Sequence, residues 1–450
     1  MSSRLIHSLA TTDALDSAFS DRTLLQAMFD FEAALAVAEA RAGVIPQSAA
    51  DAIGRGAVAD DLDLDHIVSA TRAGGTASIP VVEALVAKVE RIDADAARYV
   101  HRGATSQDVF DTALSLCIRA AWPSIEVDHA RVAGVLERLA HEHAGSVMLG
   151  RTLLQPATPT TFGLKAAGWL GALSRCWRAW SSAYEDVLVL QFGGATGTLA
   201  ALGADGPAVE QALAEELDLV VPDAPWHTHR DRLAAFVASA GIYAASLGKV
   251  ARDITLLMQG EVREVFESGG GSSTMPHKRN PSGCAAVIAA AVRLPGLVGS
   301  MLSSMDHEHE RGVGGWHAEA PVIVDVVRTS GAALSSMAHV LEHLVVDAAR
   351  MRANVDATRG VIFAERVSMR LIPVVGRSEA ARLVKAALAE VARTERTFAD
   401  VVTQTRDIAR HFAPHELPEL ARPEAYLGAA EAFRSRLVRA SADGPSPRKR

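Results

Sequence analysis

Aromatic side chains are scarce in this chain. Phe, Trp and Tyr make up 5% of the 450 residues, although 49% are apolar. Alanine and leucine carry the apolar content instead, and both favour helices. Cysteine is scarcer still. Cys117, Cys176 and Cys284 are widely spaced, which excludes a disulfide framework or a metal-ligand spacing and fits reduced thiols in a cytoplasmic protein. Positive charge is not in excess: 45 Lys and Arg stand against 53 Asp and Glu, a net charge of −8 with both signs interspersed. That leaves no electrostatic footprint for nucleic acid. The single basic cluster, Arg448-Lys449-Arg450, reads as a solvated tail. Long uncharged runs are missing as well. Residues 1–7 lack the apolar stretch of a signal peptide, and residues 187–204 are broken by Gly193, Gly194, Gly197 and Gly203, so no segment reads as a membrane span.

Alternation with period two, the mark of half-buried strands, is nearly absent. Three- and four-residue spacing dominates. It runs through Leu233, Phe236, Val237, Ala240, Ala244, Leu247, Ala251, Ile254 and Met258, through Phe162, Ala166, Trp169, Leu173, Trp177, Trp180 and Tyr184, and through Val322, Val326, Leu334, Met337, Leu341 and Leu344. A fourth pattern starts near Val109 and continues past Leu136, with Pro123 expected to kink or divide it. A fifth covers residues 285–305, interrupted by Pro295. At 450 residues the chain exceeds one simple core. These patterns predict an all-α protein in three parts: shorter helices over 1–106, a long central bundle over 107–345, and short helices over 346–450. Apolar faces of that length exceed what one chain covers, which predicts association through helix packing.

Three segments carry chemistry. Gly271-Ser272-Ser273-Thr274-Met275-Pro276-His277-Lys278-Arg279-Asn280-Pro281 follows two further glycines, Gly269 and Gly270. Glycine loosens this stretch and proline stiffens it, while hydroxyls, an ammonium and an amide sit between. It reads as a loop that orders around an anion. His101-Arg102-Gly103-Ala104-Thr105-Ser106-Gln107-Asp108 precedes the fourth helical pattern. Thr105, Ser106 or Asp108 there serve as N-caps or hold a carboxylate against helix N–H groups. Gly150-Arg151-Thr152-Leu153-Leu154-Gln155-Pro156 reads as a loop between helices.

The first string resembles GSSxMPxKxNP, the signature of the fumarase/aspartase superfamily, whose members make or break a C–O or C–N bond beside a carboxylate. The resemblance implies a three-domain, all-α fold around a long central bundle, no metal or organic cofactor, and a homotetramer whose active sites are shared between subunits. It implies Ser272 as catalytic base, with Lys278 and Asn280 binding a substrate carboxylate and stabilising a dianionic intermediate. Ser273 and Met275 fall among the substrate-binding residues of the same string. The second segment acquires binding roles for Thr105 and Ser106, and for His101 and Gln107. In the third, many lyases of the superfamily carry a histidine acid where this chain has Leu153, and a glutamate orienting it where this chain has Ala285. Thr152 and Gln155 remain to hydrogen-bond substrate, and His229, Arg230 and Arg311 are candidates for a further carboxylate.

Loss of both halves of one device points to a change of leaving group. An amine or hydroxide needs a proton to leave, whereas a carboxylate, whose conjugate acid has a pKa of roughly 4, does not. The expected branch is therefore the superfamily's cycloisomerases, in which a carboxylate of an unsaturated tricarboxylate closes a lactone. Gln191-Phe192-Gly193-Gly194-Ala195, Pro225-Trp226-His227-Thr228-His229-Arg230-Asp231, Glu308-His309-Glu310-Arg311 and Tyr426-Leu427-Gly428 resemble that branch too. The alternative is a C–N lyase of the adenylosuccinate type, which shares the ending His277-Lys278-Arg279-Asn280-Pro281. Residues 73–80 contain no histidine, and Leu153 replaces the acid, which weighs against it. A second alternative, an inactive helical scaffold, has no need of Ser272, Lys278, Asn280, Thr105 and Gln155 together.

Overall fold

The computed structural model describes residues 4–268, 275 and 278–442. Ser272, Ser273, His277 and the basic tail lie outside the described residues. The chain gathers into two compact units, neither of them a contiguous stretch. Unit 1 comprises residues 1–129, 176–248 and 286–336, and unit 2 comprises residues 130–175, 249–285 and 337–450.

All five long apolar patterns fold as helices. After α1 (Asp21–Arg41) come α2 (Ser106–Glu142), α3 (Phe162–Val187), α4 (Asp231–Leu257), α5 (Ser282–Ser304) and α6 (Gly315–Glu342). Pro123 lies inside α2 and Pro295 inside α5, and neither helix is divided there. Each proline removes one N–H without dividing the helix, so the division expected as one outcome at Pro123 and the interruption expected at Pro295 do not occur.

In unit 1, Ser20 caps α1 by accepting from the Thr23 N–H. One face of α1 then buries Met28, Phe29, Phe31, Leu35 and Ala38 in a core shared with Ile53, Leu85, Val89 and Leu213. The scarce aromatic residues concentrate elsewhere in the same unit. Trp122 stacks on Trp177 at 5.1 Å and on Tyr184 at 4.1 Å, and His129 stacks on Trp177 at 4.1 Å. His129 Nδ1 lies 2.7 Å from the Tyr243 hydroxyl, and burial lowers the His129 pKa to about 4.

Unit 2 corrects the reading of residues 150–160 as a plain loop. They belong to an antiparallel hairpin, β1 (Val147–Thr152) with β2 (Gln155–Thr161), in which Thr152 pairs with Gln155. Leu153 and Leu154 form its tip, with φ of 49° and 64°. A two-residue hairpin turn favours positive φ at both positions because that twist matches the strands, but leucine has no local preference for it. Sequence reasoning missed the hairpin because its turn lacks Asn and Gly. Val147 and Leu149 of β1 pack into a core with Phe363, Val367, Leu371 and Leu383.

Two helices, α4 and α5, are long and apolar enough by length and composition to cross a membrane, which no uncharged run in the sequence suggested. The most apolar window of α4 is 56% buried within the fold, and that of α5 only 28%.

Candidate functional site

The segment leading into α2 lies in unit 1 and is held from below. His101 has φ +61° and Gly103 φ +75°, so the chain turns sharply before the helix. A Cβ on Gly103 would sit 2.7 Å from Leu202 Cγ, so the turn requires glycine. Asp108 then reaches back to accept from the Thr105 N–H at 3.1 Å. The same carboxylate accepts from Gln191 Nε2 at 2.9 Å and from the N–H groups of Gly193 and Gly194 at 3.2 and 2.9 Å. Burial raises the Asp108 pKa to about 6 against these donors. Asp108 thus caps the Thr105 N–H at the start of this helix and is not a ligand group. The hydroxyls of Thr105 and Ser106, both half-buried, form no side-chain hydrogen bond among the described residues. They are available to an anion at the start of α2.

His101 joins this edge through Glu32. Its Nδ1 lies 2.6 Å from Glu32 Oε1, and Glu32 is buried on α1. Burial by itself would lower the His101 pKa, but the bond and charge of Glu32, with Asp108 further off, hold it above its ordinary value. One turn pair further along α1, Glu39 is fully buried with no hydrogen bond to either carboxylate oxygen among the described residues. Burial, opposed by Arg102 and reinforced by Glu32, raises its pKa to about 8. Glu32 interrupts an apolar helical face between Phe29, Phe31 and Leu35, and that interruption was the signal in the sequence for its role.

Arg230 does not behave as a free carboxylate ligand. It is 2% exposed, its Nη1 donates to Asp111 Oδ2 at 2.7 Å and its Nη2 to Glu319 Oε2 at 2.6 Å, and its Nε donates to Glu319 at 2.9 Å. Asp111 also accepts from Trp316 Nε1 at 2.9 Å, and His307 Nε2 lies 3.1 Å from Glu319 Oε1. Gln107 extends this network: it donates to Asp111 and to the His227 carbonyl at 3.1 and 2.8 Å, and it accepts from Arg311 at 2.5 Å. Arg230, Gln107 and Arg311 therefore brace the first turns of α2, and the guanidinium of Arg230 has its donors occupied. A sequence gives no sign of this, because Asp111, Arg230 and Glu319 meet only in the folded chain.

Unit 2 carries the other two segments. Thr152 and Gln155 sit exposed beside the hairpin tip, and their side chains form no hydrogen bond among the described residues. The hairpin is anchored by Arg151, which donates to both oxygens of Glu264 at 2.9 and 2.6 Å, while Asn354 also donates to Glu264 at 2.8 Å. Of the signature string, Met275 and Lys278 are exposed and Asn280 is half-buried. The Lys278 N–H donates to the Met275 carbonyl at 2.9 Å. Glu267, just before the string, accepts from the N–H groups of Gly283 and Cys284 at 2.6 and 3.2 Å. This pins the start of α5 to Glu267, a role that sequence reasoning missed. A Cβ on Gly283 would fall 2.5 Å from Val340 Cγ2 and 3.0 Å from Glu267 Oε1, so this contact needs glycine. Among the described residues there is no cluster of His, Cys, Asp or Glu arranged to hold a metal.

The geometry offers hydroxyls, an imidazole with raised pKa, amides and a lysine, the groups that bind carboxylates. Comparison with known proteins supplies the rest. The family described as Lyase matches residues 8–296, and the one described as Adenylosuccinate lyase C-terminus matches residues 360–437. A 3-carboxy-cis,cis-muconate cycloisomerase of Pseudomonas aeruginosa is 46% identical, over 93% of this chain and 92% of that protein. The crystal structure of the 3-carboxy-cis,cis-muconate lactonizing enzyme from Pseudomonas putida matches with a TM-score of 0.92 and 44% identity, covering 98% of this chain and 99% of that one. A nitrosuccinate lyase of Streptomyces davaonensis is 41% identical, over 94% of this chain and 92% of that protein.

Proposed function

The chain belongs to the fumarase/aspartase superfamily of lyases, and from that premise we propose that it is a 3-carboxy-cis,cis-muconate cycloisomerase acting in aromatic-compound catabolism, in the protocatechuate branch of the β-ketoadipate pathway. The observation that carries the reading is Leu153 at the tip of β1–β2, 97% exposed and chemically unable to donate a proton, in a chain similar over nearly its whole length to cycloisomerases.

One substrate carboxylate oxygen adds to a carbon of the conjugated diene and closes the γ-lactone. The diene electrons move onto the carbon beside another carboxylate, giving an aci-carboxylate dianion. Ser272 then delivers its hydroxyl proton to that carbon. Neither bond change requires an acid at residue 153. Lys278, Asn280, Thr105, Ser106, Thr152 and Gln155 hold the carboxylates and spread the developing charge, with Ser273 and Met275 alongside. His101, whose pKa Glu32 holds above its ordinary value, serves one carboxylate of the tricarboxylate. Arg230 contributes by bracing α2. No cofactor is needed for these steps.

The working form is a cytoplasmic homotetramer with sites shared between subunits. The apolar surface of α5 supports this: Val292 and Leu302 are 67% and 53% exposed, and helix packing between copies would cover them. The test of function is the ultraviolet absorbance of 3-carboxy-cis,cis-muconate mixed with the protein and with Ser272→Ala. Loss of diene absorbance with the parent protein only is the expected result, and no loss with either overturns the reading. Nitrosuccinate is the second substrate to try, because nitrite also leaves without a proton donor and a relative at 41% identity is a nitrosuccinate lyase.

A further inference from the structure

Unit 2 contains a cavity of about 340 Å³ behind the hairpin, lined by Leu149, Arg151, Lys165, Asp253, Leu256 and Leu257 among others. It is distinct in placement from Thr152. A bulge between Leu149 and Arg151 breaks the alternation of β1; both residues line the cavity, as does Leu154 at the hairpin tip, whereas Thr152 does not.

The charges in this cavity are unevenly matched. Both oxygens of Asp253 are committed, Oδ2 to Trp169 Nε1 at 2.9 Å and Oδ1 to Lys249. Arg151 is committed to Glu264. Lys165 forms no hydrogen bond among the described residues, and its nearest carboxylate oxygen is Asp253 Oδ2 at 3.9 Å. Of the two cations lining the cavity, Arg151 is matched by Glu264, while Asp253 is taken up by Trp169 and Lys249, so Lys165 is the half-buried ammonium left without a hydrogen-bonded carboxylate beside leucine walls.

We propose that this cavity is a binding site for a small carboxylate with an apolar body, an aromatic monocarboxylate, whose carboxylate pairs with Lys165 and whose ring lies against Leu149, Leu256 and Leu257. The Gln259 amide, also in the lining, offers a further donor. Burial lowers the Lys165 pKa; Asp253 and Glu264 oppose this, while Lys249 and Arg151 add to it. An anion is what such an ammonium lacks. Because Leu149 and Arg151 form the back of the strand that ends at Thr152, an occupant would stiffen the hairpin that presents Thr152 and Gln155.

The experiment is calorimetric titration of the full-length protein with sodium benzoate, with benzyl alcohol as the uncharged isostere. Saturable benzoate binding is expected, with benzyl alcohol at least about tenfold weaker. Lys165→Met is expected to weaken benzoate by about tenfold or more, and Leu256→Glu, at a more exposed wall position that keeps the fold, to abolish it. Lys278→Ala is expected to leave the affinity unchanged. Absence of binding, or equal binding to Lys165→Met and Leu256→Glu, overturns the proposal. So does loss of binding in Lys278→Ala, which would place benzoate in the catalytic site. None of these readouts depends on turnover, so failure here is distinguishable from failure of the cycloisomerase reading.

Discussion

Replacing Arg230 by alanine separates bracing from substrate binding. The guanidinium is bonded to Asp111 at 2.7 Å and to Glu319 at 2.6 Å, with all three side chains at most 2% exposed. Removing it leaves two buried carboxylates facing each other. Breaking a buried pair costs about 3–5 kcal/mol, and Asp111 keeps its bonds from Gln107 and Trp316, so the lower end applies. With a denaturant slope of roughly 3 kcal/mol/M, the urea midpoint should fall by about 1 M. The sign of the pH dependence also follows. Without Arg230, the burial that already raises the Glu319 pKa goes unopposed, and its folded-state pKa rises further above its unfolded value. Stability is then retained at pH below the unfolded carboxylate range and lost as pH rises through the folded pKa, so the deficit should grow with rising pH. Arg230→Lys should recover part of the loss. The assay is urea unfolding followed by circular dichroism, with KM measured in parallel. An unchanged midpoint together with a raised KM would refute the bracing role and return Arg230 to the substrate.

Three further outcomes are expected. Glu32→Gln should lower the His101 pKa, visible by NMR titration, and raise KM several-fold, the more so as pH rises; an unmoved His101 titration would dissociate the pair. Glu39→Gln removes a carboxyl whose folded pKa is about 8, so the parent's loss of stability on raising pH from about 4.5 to 8 should flatten, a gain on the order of 4 kcal/mol at pH 8 read by urea unfolding. Leu153→His restores an acid at the hairpin tip, yet lactonisation should change by less than about twofold because the reaction uses no acid there; Leu154→Gly, at φ 64°, should raise stability by about 1 kcal/mol in thermal melts.

The helices and the candidate chemistry were legible in different degrees. Periodic apolar residues located all five long helices, because burial on one helical face is written at fixed spacing. Pro123 and Pro295 divide neither helix, because a proline's local penalty is overridden when long flanking turns persist. The hairpin at residues 147–161 escaped notice because its turn is Leu153-Leu154, chosen against local preference. Thr105, Ser106, Thr152 and Gln155 were named from motifs, and in the fold their side chains are free of intramolecular hydrogen bonds among the described residues. Arg230 was named from its charge, which is visible in sequence, whereas its partners Asp111 and Glu319 are not.

By itself the sequence determined helical class, superfamily and the absence of an acid at residue 153, because periodicity, the signature string and side-chain identity are properties of neighbours along the chain. Only the tertiary structure decided which charges are committed. Glu32 to His101, Arg230 to Asp111 and Glu319, Glu267 to the start of α5, and Lys165 without a hydrogen bond behind the hairpin all depend on which groups meet after folding and on how far burial strengthens their interaction.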